Sequence, residues 1–336
     1  MRVLVTGGAG YIGSVSVEAL LAAGHEVVVL DDLSTGHHDA VPPAVPLEVA
    51  SCGDREAVID VVRRHRVEAV LHCAARSIVG ESVRDPARYY RANVAGGVAL
   101  LEGIREAGVG RLVFSSTAAV YGEPERTPIE EDDPLRPINP YGETKRTFEG
   151  ALRWYGAAYG LRSVILRYFN AAGASERNGE VHEPETHLIP AVLRAAEGNG
   201  DVAVFGEDYP TPDGTCVRDY IHVLDLAAAH VLALEATAPD DTRLPSDGSA
   251  AEPLVCNLGS GRGFSVREVL AAAQAVVGAP VPHVVGPRRP GDPPVLLASS
   301  ARARAVLGWR PAHESLEAMV GSAWAWRRHH PGGYGG

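Results

Sequence analysis

Residues 3–13, Val3-Leu4-Val5-Thr6-Gly7-Gly8-Ala9-Gly10-Tyr11-Ile12-Gly13, limit what this chain can fold into more than any other segment. An apolar strand runs straight into a turn with four glycines and then into a helix. The glycines satisfy both Gly-x-Gly-x-x-Gly (8, 10, 13) and Gly-x-x-Gly-x-x-Gly (7, 10, 13). A missing Cβ lets backbone approach a pyrophosphate, and a helix start offers free N–H groups to the same anion. Eighteen residues beyond Gly13, a second apolar run over 26–30 ends in Asp31-Asp32. A carboxylate there accepts both ribose hydroxyls and repels a 2′-phosphate, so the expected cofactor is NAD rather than NADP. The glycine pattern alone is common. Strand, helix and acid together make it specific.

The pattern continues. Apolar runs at 2–6, 26–31, 68–72, 111–116 and 162–168 alternate with helical periodicity over 12–23, 54–65, 86–107 and 141–159. Unbroken Val/Ile/Leu runs belong to strands covered on both faces, and strand–helix alternation means a parallel sheet. Past residue 170 the pattern loosens. Helices are expected at 187–197, 223–236, 265–277 and 314–328, with short strands at 202–205, 254–258 and 281–285. The expected fold is α/β: a Rossmann-type doubly wound parallel sheet over 1–170, joined by some later segments, and a smaller C-terminal α/β substrate domain over 171–330. Residues 237–253 are polar and rich in Pro, Gly and Ser and read as a mobile loop; 331–336 read as a flexible tail.

With 336 residues, 46% of them hydrophobic, the chain can bury a large core. A net charge of −11 argues against nucleic acid or an anionic membrane as partner, so an anionic ligand must be met by local Arg or Lys. No apolar run reaches the ~18–20 residues of a membrane span. The first residues read as a strand, not a signal peptide. Four scattered cysteines (52, 73, 216, 256) without Cys-x-x-Cys fit reduced thiols in the cytoplasm. The histidines show no ligand spacing, so no metal is expected. His182 to His187 reads as a polar loop, and His37-His38 and His329-His330 as solvated residues.

Tyr141 and Lys145 stand four apart, on one helix face. A phenol with a reference pKa of about 10 is a poor base at neutral pH. A neighbouring ammonium and a positive nicotinamide ring both favour its ionised form. The strand 111–116 runs into Ser115-Ser116-Thr117, putting hydroxyls at the C-terminal sheet edge, where ligands of open α/β folds bind. Thr117 can share a substrate hydroxyl with Tyr141.

Glycine turn, Ser/Thr cluster and Tyr-x-x-x-Lys, in this order, resemble the extended short-chain dehydrogenase/reductase family. Further segments resemble its UDP-sugar 4-epimerase branch, over about residues 1–330: Tyr11-Ile12-Gly13-Ser14, Val79-Gly80-Glu81-Ser82, Arg167-Tyr168-Phe169-Asn170, Phe205-Gly206-Glu207-Asp208-Tyr209-Pro210-Thr211, Val217-Arg218-Asp219-Tyr220-Ile221-His222-Val223 and Arg288-Arg289-Pro290-Gly291-Asp292. The resemblance implies NAD that stays bound and interconversion of UDP-glucose and UDP-galactose by inversion at C4 through a transient 4-keto sugar. It implies Tyr141 as the base at the 4-hydroxyl, Thr117 on the same oxygen and Lys145 on the nicotinamide ribose. By the same likeness Gly7, Gly10, Tyr11, Ile12, Gly13, Asp31, Asp32, Ala74, Asn93, Ser115 and Tyr168 line the NAD site. Asn170, Leu188, Phe205, Arg218, Arg289 and Asp292 hold the UDP moiety. A homodimer through the helices 86–107 and 141–159 is also implied.

The chain departs from the family at three places. Cys52 stands where an Asp usually reaches adenine, and Cys is a weak hydrogen-bond partner. Ser77 stands where some members carry Lys. Leu296-Leu297-Ala298-Ser299-Ser300 lacks the Asp usual after this strand, which bears on packing more than on chemistry. Leu296 also falls where a large aromatic restricts members to plain hexoses and a small residue admits N-acetyl sugars. Leucine is intermediate, which leaves UDP-N-acetylhexosamines and UDP-pentoses as alternative substrates. A 4,6-dehydratase or a decarboxylase needs an acid or base beside Thr117, where this chain has Ala118-Ala119. A nucleotide-sugar dehydrogenase or reductase and a non-catalytic NAD-binding regulator stay open as other readings.

Overall fold

The computed structural model describes residues 1–182, 184–244, 252–289 and 292–335. The first half alternates strands β1 (Arg2–Thr6), β2 (Glu26–Asp31), β3 (Leu47–Val49), β4 (Ala69–His72), β5 (Arg111–Thr117) and β6 (Arg162–Tyr168) with helices α1 (Tyr11–Ala22), α2 (Arg55–His65), α3 (Val79–Arg84), α4 (Pro86–Tyr89), α5 (Gly96–Glu106) and α6 (Pro140–Tyr159). The second half contributes β7 (Asn170–Ala172), α7 (Leu188–Ala196), β8 (Val202–Phe205), β9 (Val217–His222), α8 (Val223–Ala236), β10 (Leu254–Leu258), β11 (Gly263–Ser265), α9 (Val266–Val277), β12 (His283–Gly286), β13 (Val295–Leu296) and α10 (Leu316–His329).

Seven strands form one parallel sheet in the order β10-β6-β5-β4-β1-β2-β3. Its middle shows why β1 has no polar alternation. Val3 and Val5 enter the core shared with α1 and α8, and Leu4 enters the opposite core shared with α2, α5 and α6. The chain winds outward in both directions from β1. A crevice therefore opens between β1 and β4 at their C-terminal ends, where such sheets bind ligands.

Two later segments join this sheet. The strand expected at 254–258 is β10, paired with β6 from Leu254 opposite Val164 to Leu258 opposite Tyr168. Four apolar residues around Asn257 do not say which sheet they extend. Helix α8 packs on α1 through Val223 and Ala227 against Tyr11 and Val15.

The smaller unit holds β11-β9-β13, with β7 paired to β9, and a separate β12-β8 pair. Ile189, Val192, Val269, Ala273, Leu316 and Val320 fill its core from α7, α9 and α10. Because β7 begins two residues after β6 ends, this unit grows directly from the C-terminal edge of the large sheet.

The helix expected at 86–107 runs unbroken over 86–106 but is not uniformly α. Between α4 and α5 it widens into a π-type stretch, Tyr90–Ala95, which accommodates an extra residue and carries the buried Asn93. Residues 331–335, read as a flexible tail, are docked: the Tyr334 ring stacks on His37 at 4.7 Å. His330 stacks on Trp326 at 4.5 Å, so neither His37 nor His330 is a free solvated ring. His37 finds its aromatic partner at the far end of the chain, which local polarity does not encode, and His330 finds its own one helical turn back. In the loop read at 237–253, residues up to 244 are held: Leu244 is buried and Arg162 Nη2 donates to the Asp241 carbonyl at 2.8 Å. Residues 245–251 and Gly336 lie outside the described residues.

Candidate active site

The β1–α1 turn packs backbone against backbone. Gly7 has a φ of +73°, and a methyl on it would lie 2.5 Å from the Ala74 nitrogen. A methyl on Gly13 would lie 2.0 Å from the Gly7 carbonyl oxygen. Gly10 is different: its nearest atom would be 3.5 Å away, so its outer face is open. Gly10 also caps α1 with no side chain, and no acid stands in the first turn. The free N–H groups of Tyr11, Ile12 and Gly13 thus begin a helix suited to an anion. The Tyr11 hydroxyl donates to the Gly173 carbonyl at 2.6 Å and ties α1 to the start of the smaller unit.

Asp31 ends β2, is buried, and accepts from the backbone N–H of Ala9 at 3.0 Å and of Leu33 at 2.9 Å. Burial raises its carboxyl above the usual range. Asp32 is exposed and accepts from Ser34 N at 2.9 Å. Burial, with Asp32 and Asp31 close by, pushes the Cys52 thiol up to about 12, so it stands beside both carboxylates as a neutral group. Asn93 receives Arg76 N at 2.8 Å and donates to Arg76 O at 2.9 Å and to Thr144 Oγ1 at 3.1 Å. It pins the segment behind the glycine turn to α6.

Helix α6 starts with Asn139 accepting from Gly142 N at 2.9 Å and Pro140 in its first turn. Gly142 lets the helix press on the chain after β5: a methyl there would sit 2.4 Å from the Ala119 carbonyl oxygen. This presents Tyr141 to the end of β5. Burial raises the Tyr141 phenol to about 12, partly opposed by its hydrogen bond with the Thr117 hydroxyl. Thr117 Oγ1 itself accepts from Ala119 N at 3.2 Å, which leaves its proton to donate. Lys145 Nζ donates to the Ser115 carbonyl at 2.9 Å and lies 5.9 Å from the Tyr141 ring centre. Burial lowers its ammonium to about 8. Ser115 Oγ hydrogen-bonds the Tyr168 hydroxyl. Tyr141, Lys145, Thr117, Ser115 and Tyr168 therefore converge at the C-terminal ends of β5 and β6.

Sequence reasoning passed over the support beneath them. Glu149, one turn beyond Lys145, accepts from Ser116 Oγ at 2.5 Å and from Arg167 Nε and Nη2 at 3.0 and 2.6 Å. Both charged side chains are 5% exposed. Burial works against the Arg167 charge, but Glu149 outweighs it and holds the guanidinium above its ordinary value. Arg167 Nη1 also donates to the Tyr121 hydroxyl at 2.9 Å, and that hydroxyl donates to Asn257 Oδ1 at 2.7 Å. The available signal was a charge inside an apolar strand, since buried charges need partners.

In the smaller unit Arg218 on β9 lies in register with Leu296 on β13 and is ion-paired with Asp292. The Arg289 guanidinium covers the Phe205 ring at 3.9 Å. Asn170 Nδ2 donates to the Asp219 carbonyl at 2.8 Å. The buried Asp219 side chain, also passed over, accepts from Ser260 N at 2.8 Å, Ala298 N at 2.9 Å and Gly261 N at 3.2 Å, anchoring the strand that carries Arg218. Leu296 packs on Val120, Tyr121 and Ile129, beside the chain that leaves Thr117. Leu188 opens α7.

Just before α7, Glu180, His182, Glu185 and His187 bring one donor atom each within 4.8 Å of one another. His187 Nδ1 is 2.6 Å and His182 Nδ1 3.2 Å from Glu180 Oε1. Burial alone would raise Glu180, but the imidazoles outweigh it and hold the carboxyl at about 2. Burial would lower His187, but Glu180 and then Glu185 outweigh it and hold the imidazolium up to about 9. The expected polar loop is an ion-paired cluster.

Residues 3–243 match the NAD dependent epimerase/dehydratase family. The chain belongs to this family. It is 50% identical to the UDP-glucose 4-epimerase of Halalkalibacterium halodurans, over 99% of this chain and 98% of that one. The UDP-glucose 4-epimerase from Brucella ovis, solved with NAD, superposes with a TM-score of 0.90 at 45% identity, covering 96% of this chain and 97% of that one. The UDP-glucose 4-epimerase from Bifidobacterium longum, solved with NAD+ and UDP, gives 0.91 at 34% identity, covering 99% of this chain and all of that one, 100%.

The His187–Glu180 pair has a testable pH signature. Its imidazole value in the fold, about 9, exceeds the unfolded value of about 6.5. The stability it adds is complete below about pH 6.5 and is lost as pH rises through about 9. Thermal unfolding of the wild type and His187→Gln at fixed NAD should show a gap in Tm that narrows from about pH 6 to about pH 10. A gap that stays constant contradicts the pairing.

Proposed function

We propose that this protein interconverts UDP-glucose and UDP-galactose by inverting C4 through a transient 4-keto sugar, with NAD bound throughout. The observation that carries this reading is the Tyr141–Thr117–Lys145 constellation on the sheet edge that also bears the glycine turn. The residues fit NAD: an open Gly10 face, an uncapped α1 start and a carboxylate at the end of β2. When bound, oxidised NAD supplies a hydride acceptor for C4 and a positive ring that favours the Tyr141 phenolate.

The chain's own groups do the rest. Tyr141 takes the proton of the 4-hydroxyl and later returns it. Its raised value means that the phenol needs positive charge nearby to ionise, and Lys145 is the protein's contribution. Thr117 donates to the same sugar oxygen. Ala118 and Ala119 offer no acid or base to expel water, so the chemistry stops at C4. Arg218 and Arg289 are the local cations that an acidic chain needs for a diphosphate. Phe205 offers a ring face to uracil, and Asn170, Leu188 and Asp292 complete the UDP grip. Holding the nucleotide while the keto-sugar turns exposes its second face. Leu296 borders the sugar end and sets how large a substituent fits.

The four cysteines are free, and no helix among the described residues is long and apolar enough to cross a membrane. The free thiols fit a cytoplasmic enzyme, and a UDP-galactose substrate would place it in galactose metabolism. A homodimer through α5 and α6 is part of this reading. The two helices are locked side by side by the Tyr155 hydroxyl on Glu102 at 2.5 Å and by Arg105 over Tyr159 at 5.0 Å. Their outer surface exposes Trp154 at 72%, Tyr159 at 58% and Val98 at 37%. Light scattering should give twice the chain mass, and Trp154→Glu should shift it toward the monomer; a monomeric wild type contradicts the pairing.

The catalytic test uses UDP-galactose with product separation by chromatography. Wild type should form UDP-glucose. Tyr141→Phe should lower kcat by roughly 10²–10⁴-fold with UDP affinity little changed. A variant with near-normal kcat would remove Tyr141 as the base.

A further inference from the structure

Residues 331–335 lie apart from Tyr141, yet they hold the loop that walls the dinucleotide site. After Asp31 the chain runs through residues 32–41 before β3. This loop is built on the site itself. Leu33 N donates to Asp31 Oδ1 at 2.9 Å, and His37 N donates to the Ala9 carbonyl, in the glycine turn, at 2.8 Å. A methyl on Gly36 would meet both Ala9 Cβ and Asp31 Oδ1 at 2.9 Å.

The outer side of the loop is gripped by one packed group. The His37 ring stacks on Tyr334 with centroids 4.7 Å apart and planes at 26°. Asn178 Nδ2 donates to the Ala40 carbonyl at 3.1 Å, and Arg177 Nη2 to the Val41 carbonyl at 3.3 Å. Tyr334 and Asn178 act as a unit: the Tyr334 hydroxyl lies 3.0 Å from Asn178 Oδ1 and accepts from Gly179 N at 3.1 Å. Trp326 backs the Tyr334 ring at 5.3 Å and donates Nε1–H to the Arg177 carbonyl at 2.9 Å. Asn178 also donates to Glu18 on α1 at 2.5 Å. One assembly thus braces both the loop beside Asp31 and the helix that starts at the glycine turn.

We infer that Tyr334 is a cofactor-positioning residue: through its stack on His37 it holds loop 32–41 closed over Asp31 and slows the release of NAD. The inference rests on the proposed placement of the NAD ribose at Asp31. The clamp matters here because Cys52, the other side chain beside Asp31 and Asp32, is a neutral thiol and a weak hydrogen-bond partner. A loop that loses a stacked ring opens more often, and the ligand beneath it leaves through those openings.

The test compares wild type, Tyr334→Ala, Tyr334→Phe, His37→Ala and the double alanine variant. NAD per chain after gel filtration, the rate of NAD release, and kcat with and without added NAD are measured. Tyr334→Ala and His37→Ala should each release NAD about tenfold faster, and added NAD should restore their kcat. The double variant should release it no faster than either single one, because both remove the same contact. Tyr334→Phe keeps the stack on His37 but loses the hydroxyl's bonds to Asn178 and Gly179. Its release rate should therefore fall between wild type and Tyr334→Ala; a rate as fast as Tyr334→Ala would overturn the stack as the clamp. A folded Tyr334→Ala that releases NAD at the wild-type rate overturns the inference, as does a loss of kcat that added NAD does not restore. A wild type that neither carries NAD nor is stabilised by it would overturn the ribose placement and the clamp with it.

Discussion

Everything in this molecule is arranged around a backbone-to-backbone contact at the switch point of its sheet. The turn after β1 lies so close to the segment after β4 that Gly7 leaves no room for a Cβ against Ala74, and Gly13 none against Gly7. That approach starts α1 at the sheet edge and leaves the Gly10 side open. It also places the end of β2, with Asp31, at the same crevice. A methyl in either tight position would force apart backbone that has nowhere to go. The same contact therefore sets the cofactor wall and the packing of the central strands.

The groups proposed to react, Tyr141, Thr117 and Lys145, face this crevice from the other side and are held by a second device, a buried charge pair. Lys145 reaches the Ser115 carbonyl, and one turn on Glu149 locks Arg167 and Ser116. Removing one partner of such a pair leaves an uncompensated buried charge and costs about 3–5 kcal/mol, whereas the intact pair adds little net stability. Its use here is positional. It fixes α6 against β5 and β6 so that Tyr141, Thr117 and Lys145 meet at one point. The smaller unit meets this edge at β7, so a nucleotide held as proposed by Arg218 and Arg289 would present its sugar to fixed groups.

Much of this was legible in the sequence, for physical reasons. The β1–α1–β2 segment carries its own signals: buried strands, obligatory glycines and a terminal acid. Helix α6 is long and amphipathic and announces its start with Asn139-Pro140. The residues Tyr141, Lys145 and Thr117 could be named because their spacing is helical or their strand ends at a known edge. What could not be read was set by partners far along the chain. The mostly apolar run at 254–258 would suit either unit, and only its pairing with β6 places it. Tyr334 and His37 look like residues of free polar segments until they stack. The π-type stretch around Asn93 leaves no mark in the periodicity. Asp219 and Glu149 are charges whose burial only the assembled core reveals.

The central claim is that hydride leaves C4 and returns to the same carbon without leaving the protein. It is tested most directly by incubating the chain as purified, with no NAD added, with UDP-galactose deuterated at C4 and locating the label in the product by mass spectrometry. UDP-glucose that keeps its deuterium at C4 is the expected result. Product that has lost the label, or product that forms only in proportion to added NAD, would contradict it.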